Sequence, residues 1–117
     1  ARFVWGPPSG LGARPAKRGR QGCLAHPPEA LAAILRQTIA LLPTPDELAP
    51  RLARLRVPVL VVVGALDRGS LAPCRALAEH LPGATFVEVP GAGHVVNLAA
   101  PAAFDAALLA FLERIGC

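Results

Sequence analysis

Two side chains in this sequence, Asp67 and His94, have the types and settings that acid–base chemistry needs. Each follows an apolar run and lies beside glycine, Asp67 in Gly64-Ala65-Leu66-Asp67 and His94 in Gly91-Ala92-Gly93-His94. A carboxylate that holds one imidazole nitrogen fixes the tautomer and stabilises the charged ring, so the other nitrogen can act on a nucleophile. Alone, Asp67 would read as a turn residue capping the next helix, and His94 as a structural histidine. Together they read as the acid and histidine of a nucleophile–His–acid triad. Ser9, in Pro7-Pro8-Ser9-Gly10-Leu11, has neither flanking glycines nor a preceding apolar strand, so it is not read as the nucleophile.

The other reactive side chains carry less. Cys23 and His26 have the spacing of half a metal site with no second half, so no metal and no cofactor is expected. Cys23, Cys74 and Cys117 are odd in number and show no paired spacing, which argues against a disulfide framework and for a reducing compartment, the cytoplasm. His80 is expected at a helix end, where its charge suits the dipole.

For Asp67 and His94 to meet, two parallel strands must deliver their loops to one edge of a sheet, the edge where open α/β sheets bind ligands. The pattern provides them. Val57 to Val63 is nearly continuous β-branched sequence, the mark of a strand buried on both faces, with Pro58 at its beginning. A helix around Ala72 to Leu81 ends at Pro82-Gly83, and Thr85 to Val89 makes a second strand whose Glu88 suggests a less buried edge. Strand, helix and strand form a βαβ unit.

Helices flank this unit. Leu31, Ile34, Leu35, Ile39 and Leu42 recur at helical spacing between Pro28 and Pro43 and predict one amphipathic helix. Thr44-Pro45-Asp46-Glu47 reads as the cap and first turn of a short second helix before Leu48, Leu52 and Leu55. A last helix runs from near Pro101 to Ile115, with Phe104, Leu108, Phe111, Leu112 and Ile115 on one face and Gly116 as its stop. Residues 1–26 mix Gly, Pro and Arg without periodicity and are expected to be irregular or disordered.

Composition narrows the function classes. The net charge of +4 is concentrated in Arg2, Arg14, Lys17, Arg18 and Arg20, which lack interleaved aromatics apart from Phe3 and Trp5, so a solvated tail is expected and no nucleic-acid partner. The longest apolar run, Val57 to Leu66, is about half the roughly 20 residues of a membrane span, and no apolar stretch follows the N-terminal basic residues as a secretory signal requires. No membrane partner is expected.

From Arg56 to Leu112 the sequence resembles the C-terminal end of α/β-hydrolases. There a V-P-V-L-V-V-x-G-x-x-D strand carries the acid and P-G-x-G-H the histidine. Val57 to Asp67 and Pro90-Gly91-Ala92-Gly93-His94 match both motifs. Six residues then separate His94 from Pro101, with Phe104 opening the final helix, as in the family. Two residues between His94 and Asn97 are similar to lactonase-like members such as the 3-oxoadipate enol-lactonases. Ala99 departs from a Glu common at that position, and no G-x-S-x-G elbow occurs anywhere in the chain.

The resemblance implies a partial α/β-hydrolase fold, with a basic segment at 1–26, the end of a cap at 27–55 and a βαβα portion at 56–117. It implies hydrolysis of esters, lactones or related small acyl substrates, with Asp67 and His94 supplied to a site completed elsewhere. The alternative is a degenerate, non-catalytic remnant kept as an interaction module. With no further strand beside 57–63, its open edge is expected to drive self-association or to be covered by residues 28–55.

Overall fold

The computed structural model describes Lys17 and residues 21–117. Helix α1 spans Pro28–Gln37, a 3-10 turn Ile39–Leu41, and α2 Pro45–Leu52. Strand β1 covers Leu60–Gly64, α3 Leu71–His80, β2 Thr85–Val89, α4 Val96–Ala99 and α5 Pro101–Ile115. The expected fold class is present: β1 and β2 are parallel neighbours in register from Leu60 opposite Thr85 to Gly64 opposite Val89.

The two faces of this small sheet are covered by different helices. On one, Arg75 of α3 pairs with Glu88 at 3.0 Å and lies over the Phe86 ring. On the other, Val62 and Val87 pack with Phe104 of α5 around Val89, Ala92 and Val96, and the Arg114 guanidinium donates to the Thr85 hydroxyl. Glu88 is exposed, as the sequence suggested, and its carboxylate meets Arg75 at the surface. Val61 and Val63 are buried, while Leu60 and Val62 are only partly so.

Several boundaries differ from the sequence expectation. The first helix stops at Gln37, because Thr38 leaves helical geometry (φ −125°, ψ −67°) and Leu42, held extended by the following Pro43, tightens the remainder into a 3-10 turn. Its apolar stripe is not core: Ile34, Leu35, Ile39, Leu41 and Leu42 are all more than half exposed. β1 begins at Leu60 rather than Val57, since β2 extends no further back than Thr85 and leaves Val57 and Pro58 without a strand partner. The turn α4 had no periodic signal in four residues. Residues 21–24 are helical, a correction to the irregular segment expected there. One turn needs only local bonds, here from the Ala25 N–H to the Gln21 and Gly22 carbonyls, and no core. Lys17 is helical as well, and residues 25–26 form a turn and a bend; the expectation for residues 1–16 and 18–20, and Ser9 with it, lies outside the described residues.

Local chemistry fixes the other ends. Thr44 and Glu47 form a reciprocal capping box at α2, and Pro50 inside that short helix removes one of its hydrogen bonds. Gly116 closes α5 in the left-handed region (φ 79°), returning its N–H to Leu112 and Glu113. Helix α2 packs on α3, where His80 Nε2 lies 2.8 Å from Asp46 Oδ1. The helix-end histidine therefore ties two helices together.

One edge of β1 is bare. The Thr85 N–H to Val59 carbonyl and Ala65 N–H to Val89 carbonyl bonds show that odd-numbered residues of β1 face β2. Leu60 and Val62 therefore aim their backbone groups the other way, and among the described residues they have no partner there. Residues 28–55 do not cover this edge; their contact is α2 on α3. No described helix is long and apolar enough to cross a membrane.

Candidate active site

The parallel pairing brings the loops after β1 and β2 to one edge of the sheet, and backbone bonds stitch them together. The Leu66 N–H donates to the Ala92 carbonyl at 2.8 Å, beside the Ala65 to Val89 bond at 2.9 Å. The β1 loop turns tightly, with the Asp67 N–H returned to the Gly64 carbonyl at 2.9 Å. The β2 loop reverses at Gly91, whose φ of 71° suits a residue without a Cβ. Ala92 is fully buried beneath it.

These two loops set Asp67 Oδ2 2.8 Å from His94 Nδ1. The environments are unequal: the Asp67 side chain is 3% exposed and that of His94 44%. A buried acid thus grips one nitrogen of a half-exposed ring. Burial pushes the Asp67 carboxyl up, but the Ser70 hydroxyl, His94 and the Ser70 amide together outweigh it and hold the group below the ordinary aspartate value. Ser70 does so without closing a hydrogen bond to Oδ1, which is buried and unpartnered. The Asp67 main chain also starts α3, its carbonyl accepting from the Ser70 and Leu71 amides. Ser70, not Asp67, is the N-cap of α3, and no side chain caps that helix; the Asp67 side chain contacts His94 instead.

Sequence reasoning missed Ser70 and Cys74 as neighbours of the acid. Their signal was spacing, three and seven residues on, into the first turns of α3. The Cys74 thiol is pushed up by burial and further by the negative charge of Asp67. Asn97 is exposed on α4, one turn beyond His94. Ala99 packs against the cluster of Val89, Ala92 and Val96, which gives a small residue a reason to stand there. Among the described residues no three His, Cys, Asp or Glu side chains converge as metal ligands. A groove of about 380 Å³ runs along α3 past Arg68, Arg75 and Glu79; neither Asp67 nor His94 lines it, so it is not the pocket of this site.

Comparison with known proteins gives a consistent family. A model described as the alpha/beta hydrolase family matches residues 1–107. RutD of a Caulobacter species, provisionally named a carbamate hydrolase, is 46% identical over 63 residues, 53% of this chain and 24% of that protein. The 3-oxoadipate enol-lactonase 2 of Acinetobacter baylyi is 38% identical over 69 residues, 58% of this chain and 26% of the enzyme. The polyketide synthase ThaQ of Burkholderia thailandensis is 42% identical over 65 residues, 55% of this chain and 3% of the synthase. The matched region thus spans about a quarter or less of these curated relatives. No solved structure matches.

Proposed function

Because the chain belongs to the α/β-hydrolase family, we propose that Asp67 and His94 are the acid and base of a nucleophile–His–acid triad that hydrolyses esters, lactones or related small acyl substrates. The nucleophile and the oxyanion-binding groups come from outside these 117 residues. What carries the reading is the 2.8 Å contact between the buried carboxylate and Nδ1 of the half-exposed ring. The relatives named for a lactone and a carbamate support the acyl class of substrate, since both names describe attack at a carbonyl carbon.

In this reading Asp67 accepts a hydrogen bond from the Nδ1–H, which leaves Nε2 as the basic nitrogen. Nε2 takes the proton of the nucleophile as the latter adds to the carbonyl carbon, and the resulting imidazolium is stabilised by Asp67. The same proton passes to the leaving group, and water repeats the sequence to release the acid. Residues 27–55 form the end of a cap over the pocket, a role supported by the uncovered apolar side chains of α1 and its 3-10 turn. The proposed compartment is the cytoplasm, supported by free Cys23, Cys74 and Cys117. The bare edge of β1 supports pairing between copies when the chain is made alone.

The test is ester and lactone hydrolysis by the complete protein carrying His94→Ala. Loss of about six orders of magnitude in kcat is expected. Activity within tenfold of the parent would remove the assignment.

A further inference from the structure

Gly64 ends β1 three residues before Asp67, and its φ is not in the left-handed region. Its backbone conformation is therefore open to any residue, and a reason for glycine must be steric. A Cβ built there would lie 2.6 Å from the Ala92 carbonyl carbon and closer still to the carbonyl oxygens of Ala92 and Gly93. Carbon atoms pack at about 3.5–4.0 Å. The obstacle is backbone, which cannot rotate aside as a flexible side chain would.

Those two carbonyls immediately precede His94. The loop cannot move inward, because Ala92 is fully buried against Val89 and Val96. A methyl group at position 64 would instead drive residues 92 and 93 outward, stretching the bond from the Leu66 N–H to the Ala92 carbonyl. His94 would travel with them, and a 2.8 Å contact is broken by a displacement of less than about 1 Å.

We propose that Gly64 is a positioning residue: its missing side chain is the space in which the His94 loop docks against the Asp67 loop, and it sets the distance between the two. This rests on reading Asp67 and His94 as the acid and base, but it concerns their placement rather than turnover. The role is distinct from that of Gly91, which serves a turn.

The experiment uses the 117-residue chain with 15N-labelled histidine and reads the ring nitrogens by NMR. In the parent, His94 should carry its proton on Nδ1, as a low-field resonance slowed in exchange by Asp67, and the Gly64 Hα protons should give through-space contacts to Gly93. In Gly64→Ala that resonance should be lost and the His94 tautomer should become mixed, while His80 and the far-UV circular dichroism stay as in the parent. Leu81→Ala is the control for simple destabilisation: Leu81 is buried at the opposite edge of the sheet, and its loss should leave the His94 resonance in place. An unchanged His94 resonance in Gly64→Ala overturns the proposal. So does collapse of the fold in that variant, equal loss in Leu81→Ala, or absence of the Gly64 to Gly93 contacts in the parent. A parent with no Nδ1 proton would instead overturn the reading of the pair itself.

Discussion

His94 Nδ1 and Asp67 Oδ2 stand 2.8 Å apart across 27 residues of sequence, one in the loop after β2 and the other in the loop after β1. The carboxylate is buried and the ring half-exposed. Replacing Asp67 with Asn keeps the shape and removes the charge that stabilises an imidazolium. In the complete protein, Asp67→Asn should lower kcat by roughly 10⁴, with a much smaller change in KM. Comparable losses in both constants would point to substrate binding instead.

The same carboxylate makes stability depend on acid. Its native pKa lies below the ordinary value, so the folded state binds this proton less readily than the unfolded state. The stabilisation is therefore fully present above about pH 4 and disappears as pH falls through the lowered native value. Urea midpoints of the parent should fall steeply below about pH 4, whereas those of Asp67→Asn should start lower and vary less. Parallel curves would mean that the carboxylate is not coupled to folding.

Cys74 reports on Asp67 from a second direction. Burial and the neighbouring negative charge both raise its thiol pKa, so little thiolate is present at neutral pH. Iodoacetamide should modify exposed Cys117 several-fold faster than Cys74. Asp67→Asn should speed Cys74 while leaving Cys117 alone, as read by mass spectrometry of the labelled peptides. Faster labelling at Cys74 than at Cys117 in the parent would contradict the packing of α3.

Phe111 is the buried anchor of α5 beneath the sheet. Phe111→Ala should cost about 3 kcal/mol through lost burial and the cavity left behind, read as a lowered urea midpoint. A change under about 1 kcal/mol would place α5 outside the cooperative core.

The meeting of Asp67 with His94 was legible because its signals are local. Asp67 and His94 each follow an apolar strand and stand beside glycine, and a single crossover helix fixes which edge they share. The capping box at Thr44 and the stop at Gly116 were equally plain, being set by neighbours within one turn. What was not legible depended on distant partners. Glu88 is exposed as its type suggested, but its pairing with Arg75 of α3 was not written in its neighbours, and His80 ends its helix as expected, but its contact with Asp46 of α2 was not. The stripe of Ile34, Leu35, Ile39 and Leu42 resembles a core face, yet periodicity reports only that apolar residues share a side, and among the described residues nothing covers it.

The bare side of β1 leaves an imprint at the level of single amides. Val61 and Val63 turn their N–H groups toward β2, whereas Leu60 and Val62 turn theirs away. In dilute deuterated buffer, exchange along this strand should be a comb, slow and fast on alternate residues, even though all four side chains are apolar. Raising the protein concentration then becomes a titration. If copies pair along this side, the fast teeth of the comb slow first, and the strand reports its own partner.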